Sequence, residues 1–198
     1  MEKLSEGAES IIEIVNDKIL QKTRLEKKYR HPQLDVKLRK FRCKREFKIL
    51  LKLQELKINV PKPYEISKNK TDFTFEFLKG EILKNCLNEE LLKKAFNQII
   101  KMHKAGIIHG DLTTLNMINK NKEIYLIDFG LSKFSSNIEE KGVDLNLFFN
   151  CIKNEHNEFY SLKDKLIQKY SKEIDNEKEV IKRLEEIEMR GRNKNKKN

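Results

Sequence analysis

The sequence is poor in several residue types on which common protein classes depend. It has no tryptophan, and its three cysteines, Cys43, Cys86 and Cys151, are scattered along 198 residues. An odd, dispersed set without a Cys-x-x-Cys pair argues against a disulfide framework and against a zinc site. No apolar run approaches the ~18 residues of a membrane-spanning helix, and the first residues lack the apolar stretch of a signal peptide. These absences predict a cytoplasmic protein with reduced cysteines and no membrane partner.

Positive charge, by contrast, is abundant. The chain has 42 Lys and Arg against 31 Asp and Glu, a formal net charge of +11. Such a surplus is typical of proteins that meet a polyanion such as nucleic acid, or the acidic face of another protein. A solvated, lysine-rich surface explains it equally well, because many of the lysines stand in mixed runs with glutamate.

The first part of the chain has the pattern of a small sheet with one long helix. Apolar alternation predicts strands at residues 11–15, 19–22, 64–67 and 73–77. Between the two hairpins, leucine and phenylalanine recur at helical spacing over 34–58, as one helix or two, with Pro61 and Pro63 ending the helical pattern. We therefore place a β-rich N-terminal lobe at residues 1–78.

Beyond residue 78 the pattern becomes mainly helical. Predicted helices lie at 92–103, 143–152, 159–170 and 177–189. Between the first two of these, residues 107–127 consist of short apolar bursts separated by polar loops. We place a C-terminal lobe at 79–189, followed at 190–198 by a basic tail that we expect to be disordered in the isolated protein.

One stretch of this second lobe indicates chemistry. Residues 108–116 read Ile-His-Gly-Asp-Leu-Thr-Thr-Leu-Asn, and Asp128-Phe129-Gly130 follow an apolar strand. An Asp (Asp111), an Asn five residues later (Asn116) and then an Asp-Phe-Gly form the catalytic signature of protein kinases. Each piece alone is an ordinary turn or cap. Their conjunction in this order, behind an amphipathic helix, is specific.

The spacing suits phosphoryl transfer, in which the protein mainly positions groups and offsets charge. Asp111 would accept or orient the proton of the attacking hydroxyl or water. Asn116 and Asp128 would supply oxygen ligands to Mg²⁺, which takes few ligands from protein and the rest from phosphate and water. We therefore predict ATP and Mg²⁺ as cofactors. The predicted fold is α+β and protein-kinase-like, with a small β-rich N-lobe containing one main helix and a reduced, mainly helical C-lobe.

A kinase site also needs a lysine for the phosphates and a glutamate that holds this lysine. Lys22, at the end of the second predicted strand, is the expected lysine, and Lys18 is the alternative. Glu46 is the expected partner, because it is the only acidic residue between Asp35 and Glu55.

The loop that covers the phosphates departs from the usual pattern. The sequence has no Gly-x-Gly-x-x-Gly, and only Gly7, Ala8 and Glu9 stand before the first predicted strand. A single glycine is a weak signal for a phosphate-binding turn. The segment from Glu76 to Leu78 is expected to offer backbone hydrogen bonds to adenine.

With these segments in view, the sequence resembles the small atypical serine/threonine kinase/ATPase subunit of the KEOPS (EKC) complex. The resemblance covers nearly the whole chain. Its marks are Gly7-Ala8-Glu9, Tyr29-Arg30-His31-Pro32-Gln33-Leu34-Asp35, Arg42-Cys43-Lys44-Arg45-Glu46, residues 109–116, Asp128-Phe129-Gly130-Leu131-Ser132, Lys141-Gly142-Val143-Asp144-Leu145 and Arg190-Gly191-Arg192. The family's ATP lysine, helix glutamate, catalytic aspartate and metal ligands fall on Lys22, Glu46, Asp111, Asn116 and Asp128. Leu115 departs from the family, where serine is expected.

The resemblance implies a function in tRNA modification. The chain would be the ATP-dependent kinase/ATPase subunit that supports threonylcarbamoyladenosine formation, acting with the threonylcarbamoyl transferase subunit and the other KEOPS subunits. Contact with tRNA would come through the complex and the basic tail at 190–198.

The residues independently favour a reduced kinase. Gly110 stands where many kinases have an arginine, Thr113 stands where many have a lysine, and only thirteen residues separate Gly130 from Asp144 without an Ala-Pro-Glu segment. A platform for peptide substrates is therefore expected to be missing. The alternatives are an independent RIO-like serine/threonine kinase, an antibiotic phosphotransferase, which needs a larger C-terminal lobe, and a non-catalytic scaffold.

Overall fold

The computed structural model describes residues 2–174 and 177–195, and side chains at all of these except 177 and 191–195. The chain divides into two compact units, one ending at Lys79 and the other beginning at Gly80. The predicted lobe boundary, after residue 78, lies one residue before this division. Within the described ranges, no helix is long and apolar enough to cross a membrane.

The first unit contains a five-stranded antiparallel sheet. Its strands are β1 (Glu2–Glu6), β2 (Ser10–Asn16), β3 (Ile19–Arg24), β4 (Pro63–Ile66) and β5 (Asp72–Glu76). Their spatial order is β1-β2-β3-β5-β4, which puts β3 in the centre. The four predicted strands are present, but β1 was not expected. Its residues are all exposed and mostly charged, as is common for an edge strand that must avoid pairing with other chains.

A single long helix, α1 (Pro32–Glu55), follows β3. The helix ends before the prolines, in a Schellman turn. Lys57 has a φ of 56°, and the amide of Ile58 donates to the carbonyl of Leu53 at 2.9 Å. The expectation that Pro61 and Pro63 end the helix is therefore wrong, because local backbone hydrogen bonds end it first.

Apolar packing fixes α1 against the sheet. Cys43, Ile49 and Leu53 are completely buried on the inner face of the helix. The ring of Phe47 meets the ring of Phe73 of β5 edge-on, with 5.8 Å between centroids. Burial raises the pKa of the Cys43 thiol to about 12, so this cysteine acts as a packing residue, and Cys86 and Cys151 are also free thiols.

The second unit is mainly helical. Its helices are α2 (Leu83–Cys86), α3 (Glu89–Lys104), α4 (Ile138–Glu155), α5 (Lys163–Ser171) and α6 (Glu177–Asn195). Short strands β6 (Glu81–Ile82), β7 (Ile107–Ile108), β8 (Met117–Lys120), β9 (Glu123–Leu126) and β10 (Lys133–Phe134) form two small sheets, in the orders β6-β8-β9 and β10-β7. The apolar stripe of α3 supplies the core, where Phe96 contacts the rings of Phe148, Phe149 and Tyr170.

The predicted helices correspond to α3, α4, α5 and α6, with two differences. The first third of the predicted helix at 159–170 lies in a 3₁₀ turn, Asn157–Leu162. Helix α6 extends to Asn195, so the backbone of residues 190–195 is helical rather than disordered as expected. Residues 196–198 of the predicted tail lie outside the described residues.

Candidate active site

A tight hairpin brings Asn116 and Asp128 together. Strands β8 and β9 pair antiparallel, with Met117 opposite Leu126, so the residue before β8 and the residues after β9 meet at one end of the hairpin. The turn residues Asn121 and Lys122 both have positive φ, 54° and 63°, as a two-residue hairpin turn requires. The hairpin closes at its base, where the amide of Ile127 donates to the carbonyl of Asn116 at 3.0 Å.

Asp111 joins the same cluster through Asn116. The side-chain amide of Asn116 donates to the Asp111 carbonyl oxygen at 2.8 Å and to its carboxylate at 2.9 Å. Both donors are used on Asp111, so the side-chain oxygen of Asn116 remains available as a ligand. Asp111 and Asp128 are exposed, whereas Leu112 and Thr114 between them are buried. The loop thus holds its acidic groups towards solvent on a buried frame.

Asp128 has a strained backbone. Its φ of 57° lies in the left-handed region, which is uncommon for a residue other than glycine. The amide of Gly130 donates to the Asp128 carboxylate at 3.2 Å, and Phe129 beside it is buried. Such strain at a polar, exposed residue is typical of a functional site.

The buried carboxylate of Asp144, on α4, fixes the backbone of the catalytic loop. It accepts the amide of His109 at 2.7 Å and that of Gly110 at 2.9 Å. Burial alone would raise the pKa of Asp144, but hydrogen bonds from His103 and from these two amides outweigh it and hold the pKa below its usual value. An ionised Asp144 therefore anchors the loop immediately before Asp111.

A further contact extends this anchor to α5. His103 of α3 lies with Nε2 3.4 Å from the Asp144 carboxylate and Nδ1 3.0 Å from the hydroxyl of Tyr170. All three side chains are buried. Helices α3, α4 and α5 are thus joined to the catalytic loop by one polar chain.

His109 connects the two acidic segments. Its Nε2 contacts the carbonyl of Ile127 at 3.0 Å, and its Nδ1 lies 3.3 Å from the amide of Asp111. This pattern fits a neutral ring that donates from Nε2 and accepts at Nδ1. Burial lowers the pKa of His109, although Asp144 and the Ile127 carbonyl act in the opposite direction. The ring also packs on Phe129, with 4.9 Å between centroids.

The backbone geometry at Gly110 explains why glycine stands where many kinases have an arginine. Its φ is 83°, and a Cβ placed there would lie 2.9 Å from the carbonyl oxygen of Leu131. Any side chain would be strained and would clash with backbone. Residues 131–137, which include β10, complete the connection from Gly130 to α4.

In the first unit, the predicted pair of Lys22 and Glu46 is present. Lys22 lies on the central strand β3, and its Nζ is 2.7 Å from the Glu46 carboxylate, with side chains 4% and 3% exposed. The alternative, Lys18, lies in the exposed turn before β3. Arg24, which the sequence analysis did not single out, forms a second ion pair with Glu46. One buried carboxylate therefore holds two buried cations.

The segment Gly7-Ala8-Glu9 is a turn between β1 and β2, rather than a segment before the first strand. The carboxylate of Glu9 does not point into open space. It is held by Arg42 at 2.6 Å and by Arg30 at 3.2 Å, which lower its pKa in spite of the opposing effect of burial. Lys27 also donates to the carbonyl of Ala8. The turn is therefore tied to α1 and to the segment before it.

The segment from Glu76 to Leu78 follows β5. The amide of Glu76 donates to the backbone carbonyl of Lys62, and the amide of Phe77 donates to the backbone carbonyl of Lys18, both at 2.8 Å. In the described part of the chain, no group accepts a hydrogen bond from the amide of Leu78. The predicted donation to adenine thus falls on Leu78, and Glu76 could contribute only its carbonyl.

Comparison with known proteins places these residues in a family. The model of the RIO domain matches residues 9–140. The chain is 40% identical to the KEOPS complex subunit Bud32 of Pyrococcus abyssi, over 88% of this chain and 84% of that protein. The chain belongs to the Bud32 family. It is an atypical kinase/ATPase with a RIO-type domain, so the RIO-like alternative does not differ from the main prediction at the level of the domain.

Two further likenesses refine this placement. A probable bifunctional tRNA threonylcarbamoyladenosine biosynthesis protein of Methanocorpusculum labreanum is 39% identical over 96% of this chain, which spans only 36% of that protein. The Rio2 kinase of Chaetomium thermophilum, solved with ADP, Mg²⁺ and phosphoaspartate, superposes on 94% of this chain and 72% of its own with a TM-score of 0.64. At 15% identity this likeness shows the fold alone, which is the kinase-like α+β fold that the sequence predicted.

The donor set of this Bud32-family site fits magnesium. Asp128 offers a carboxylate and Asn116 an amide oxygen, both hard ligands of the kind that Mg²⁺ prefers. In the described part of the chain no three His, Cys, Asp or Glu side chains gather as a metal cage. A magnesium ion here would complete its coordination with phosphate and water.

Two supporting residues escaped the sequence analysis. Arg24 stands two positions after Lys22 and shares its buried face, with Leu20, Lys22 and Arg24 all buried, so strand alternation could have identified it. Asp144 lies in a segment that carries the family resemblance, but its own role was not predicted. Its signal is an acid that stands beside the core residues Leu145, Phe148 and Phe149 on its helix, since a buried acid requires partners.

Proposed function

We propose that the chain binds ATP and Mg²⁺ and transfers or hydrolyses the terminal phosphate, with Asp111 as the catalytic residue. The observation that carries this proposal is the exposed cluster of Asp111, Asn116 and Asp128 on a frame anchored by Asp144. Pre-organised groups of this kind provide positioning and charge stabilisation, which phosphoryl transfer requires.

The step proceeds at the terminal phosphorus. Asp111 takes or orients the proton of an attacking hydroxyl or water as the new P–O bond forms. The bond from phosphorus to the bridging oxygen breaks, and ADP leaves with its electron pair. Asn116 and Asp128 would hold Mg²⁺, which would neutralise charge on the phosphates.

The first unit would supply groups that bind the nucleotide. We assign the phosphates to Lys22, kept in place by Glu46, and to the backbone of the turn Gly7-Ala8-Glu9. Glu9 acts there through its ion pairs, which hold the turn. The Leu78 amide and the Glu76 carbonyl would recognise adenine.

The names of the relatives support a proposal for the partner. The chain would serve as a KEOPS subunit that supports threonylcarbamoyladenosine formation on tRNA. Its alignment with about a third of a bifunctional tRNA threonylcarbamoyladenosine biosynthesis protein supports a second, separate chain as partner. We propose that this partner is the threonylcarbamoyl transferase subunit.

The test is ATP turnover by the purified chain, with and without the transferase and tRNA, for wild type and Asp128→Ala. Asp164→Ala, which removes an exposed acid on α5, is the matched control. Turnover that rises with both partners, disappears in Asp128→Ala and persists in Asp164→Ala supports the proposal.

Two results would count against it. Turnover that ignores transferase and tRNA, together with phosphorylation of an unrelated protein at a defined site, would indicate an independent RIO-like kinase. Absence of ATP binding and turnover in the wild-type chain with its partners would indicate a non-catalytic scaffold.

A further inference from the structure

The outer face of α1 carries positive charge that the ATP chemistry does not use. The helix contains eight basic and three acidic residues. Of the acids, Asp35 and Glu46 are buried, at 1% and 2% exposure, and only Glu55 at the C-terminal end is exposed. The charges of α1 are therefore separated, with acids inside and cations outside.

The exposed cations lie in one line. Lys37, Lys40, Lys44 and Lys48 are all exposed and follow each other at three- and four-residue spacing, which places them on one face of the helix. Four residues advance a helix by about 6 Å. We call this set the α1 lysine row.

Among the side chains that the structure describes, no acidic group forms an ion pair with three members of the row, Lys37, Lys40 and Lys44. Like charges four residues apart, such as Lys40 and Lys44, repel each other and destabilise a helix. The arrangement costs the folded protein stability, which points to a use outside the fold.

An aromatic platform stands within the row. Phe41 is 59% exposed, so most of its ring lies outside the core of the fold. The guanidinium of Arg45 lies over its ring, 5.4 Å from the centroid. A flat ring flanked by cations is the arrangement on which nucleic-acid bases stack.

We propose that the α1 lysine row, with Phe41, is a docking surface for RNA, in which the lysines meet successive phosphates and an unpaired base stacks on Phe41. A membrane is disfavoured as the occupant, because a helix that lies in a bilayer must bury a continuous apolar face and that face of α1 already packs on the sheet. An acidic protein would meet the same cations, and polyglutamate serves as its probe in the test below.

This surface is separate from the proposed ATP chemistry. Glu46 lies on the opposite side of α1 from Lys44 and Lys48 and is buried with Lys22. RNA binding can therefore be measured without ATP, and its failure is distinguishable from a failure of the kinase proposal.

The experiment measures binding of an unmodified tRNA transcript to the full chain by fluorescence anisotropy over a series of salt concentrations. The test variants are the triple change of Lys37, Lys40 and Lys44 to Gln, and Phe41→Ala. The matched control changes Lys68, Lys101 and Lys172 to Gln, since these exposed lysines lie outside α1. Thermal unfolding checks that each variant folds.

The triple α1 variant should bind tRNA roughly tenfold more weakly or worse. The slope of log Kd against log salt concentration should also decrease by about 2, because each lost phosphate contact lowers this slope by ~0.7. Phe41→Ala should weaken binding between about fivefold and about a hundredfold. The control should stay within about twofold of wild type.

Equal losses in the α1 and control triples would overturn the proposal, because the effect would then be net charge alone. Binding of phosphatidylserine vesicles or polyglutamate that depends on the row, with tRNA binding unchanged, would also overturn it and would assign the row to a membrane or an acidic protein.

Discussion

Lys22 and Glu46 in the first unit are almost wholly buried, whereas Asp111 and Asp128 in the second unit are exposed. Both sets are proposed for the same ATP chemistry. In the first unit the functional charges are themselves part of the core. In the second unit the core charge belongs to Asp144, which accepts hydrogen bonds from backbone amides of the loop and lies beside His103.

The difference has an energetic consequence. Removing one member of a buried ion pair leaves an uncompensated charge in the core, which is strongly destabilising. An exposed carboxylate can be replaced with little effect on the fold. Function and stability are therefore coupled in the first unit and separable in the second, and the four predictions below test this contrast.

The largest effect is expected for Asp111→Asn, which should lower the turnover number for ATP by roughly 10²–10⁴ through loss of the proton acceptor. The free energy of unfolding should change by less than about 0.5 kcal/mol, because the side chain is exposed. Steady-state ATP turnover and urea unfolding measure the two quantities. Asp164→Asn is the control and should change neither, and near-normal turnover in Asp111→Asn would remove Asp111 from the mechanism.

The next largest effect is expected for Glu46→Gln, which leaves Lys22 and Arg24 buried without a counter-charge. The loss should be about 3–5 kcal/mol in the free energy of unfolding, together with loss of activity. Lys22→Met is the matched comparison and should lose less stability, because Arg24 retains its ion pair with Glu46. If urea unfolding shows Glu46→Gln to be as stable as Asp111→Asn, the contrast between the units is wrong.

Acidic pH should lower the free energy of unfolding of the second unit, because His109 becomes protonated. Because burial holds the folded-state pKa of His109 below the ordinary value near 6.5, its stabilising contribution is complete above about pH 6.5 and is lost as the pH falls towards the folded value. Unfolding free energy should decline as the pH falls below about 6.5, by at most ~1.4 kcal/mol per pH unit. Protonation of Nδ1 would also displace the Asp111 amide.

Urea unfolding across this pH range measures the slope, and His109→Gln should flatten it. Asp144 acts in a separate window. Its folded pKa is also lowered, so its contribution is complete above about pH 3.9 and is lost only in stronger acid. A wild-type slope confined to pH below 4 would assign the acid sensitivity to Asp144 rather than to His109.

The smallest effect is expected for Glu9→Gln, which removes partly exposed ion pairs to Arg30 and Arg42. Such pairs contribute little to stability, but they hold the turn at Gly7. The KM for ATP should rise by about two- to tenfold, with a nearly unchanged turnover number. Glu6→Gln removes the same charge from β1 and should leave KM unchanged, and equal effects of both variants would contradict a positioning role for Glu9.

The sequence predicted the elements whose signals are local. Four strands of the first sheet and the main helices follow from apolar periodicity, and the signature from Asp111 to Gly130 follows from residue type and spacing. Prediction from the sequence failed where the local signal was absent or weak. Strand β1 has no apolar alternation, and the end of α1 depends on Lys57 adopting a left-handed backbone that its residue type does not announce.

The sequence by itself determined the order of the chemical groups and the fold class, because periodicity and motif spacing are properties of neighbouring residues. Only the tertiary structure decided which charges became buried partners. Arg24 pairs with Glu46, which lies 22 residues away along the chain, and Asp144 binds the amide of His109, which lies 35 residues away. A buried charge is stable only with its partners in place, and chain folding, rather than local pattern, brings those partners together.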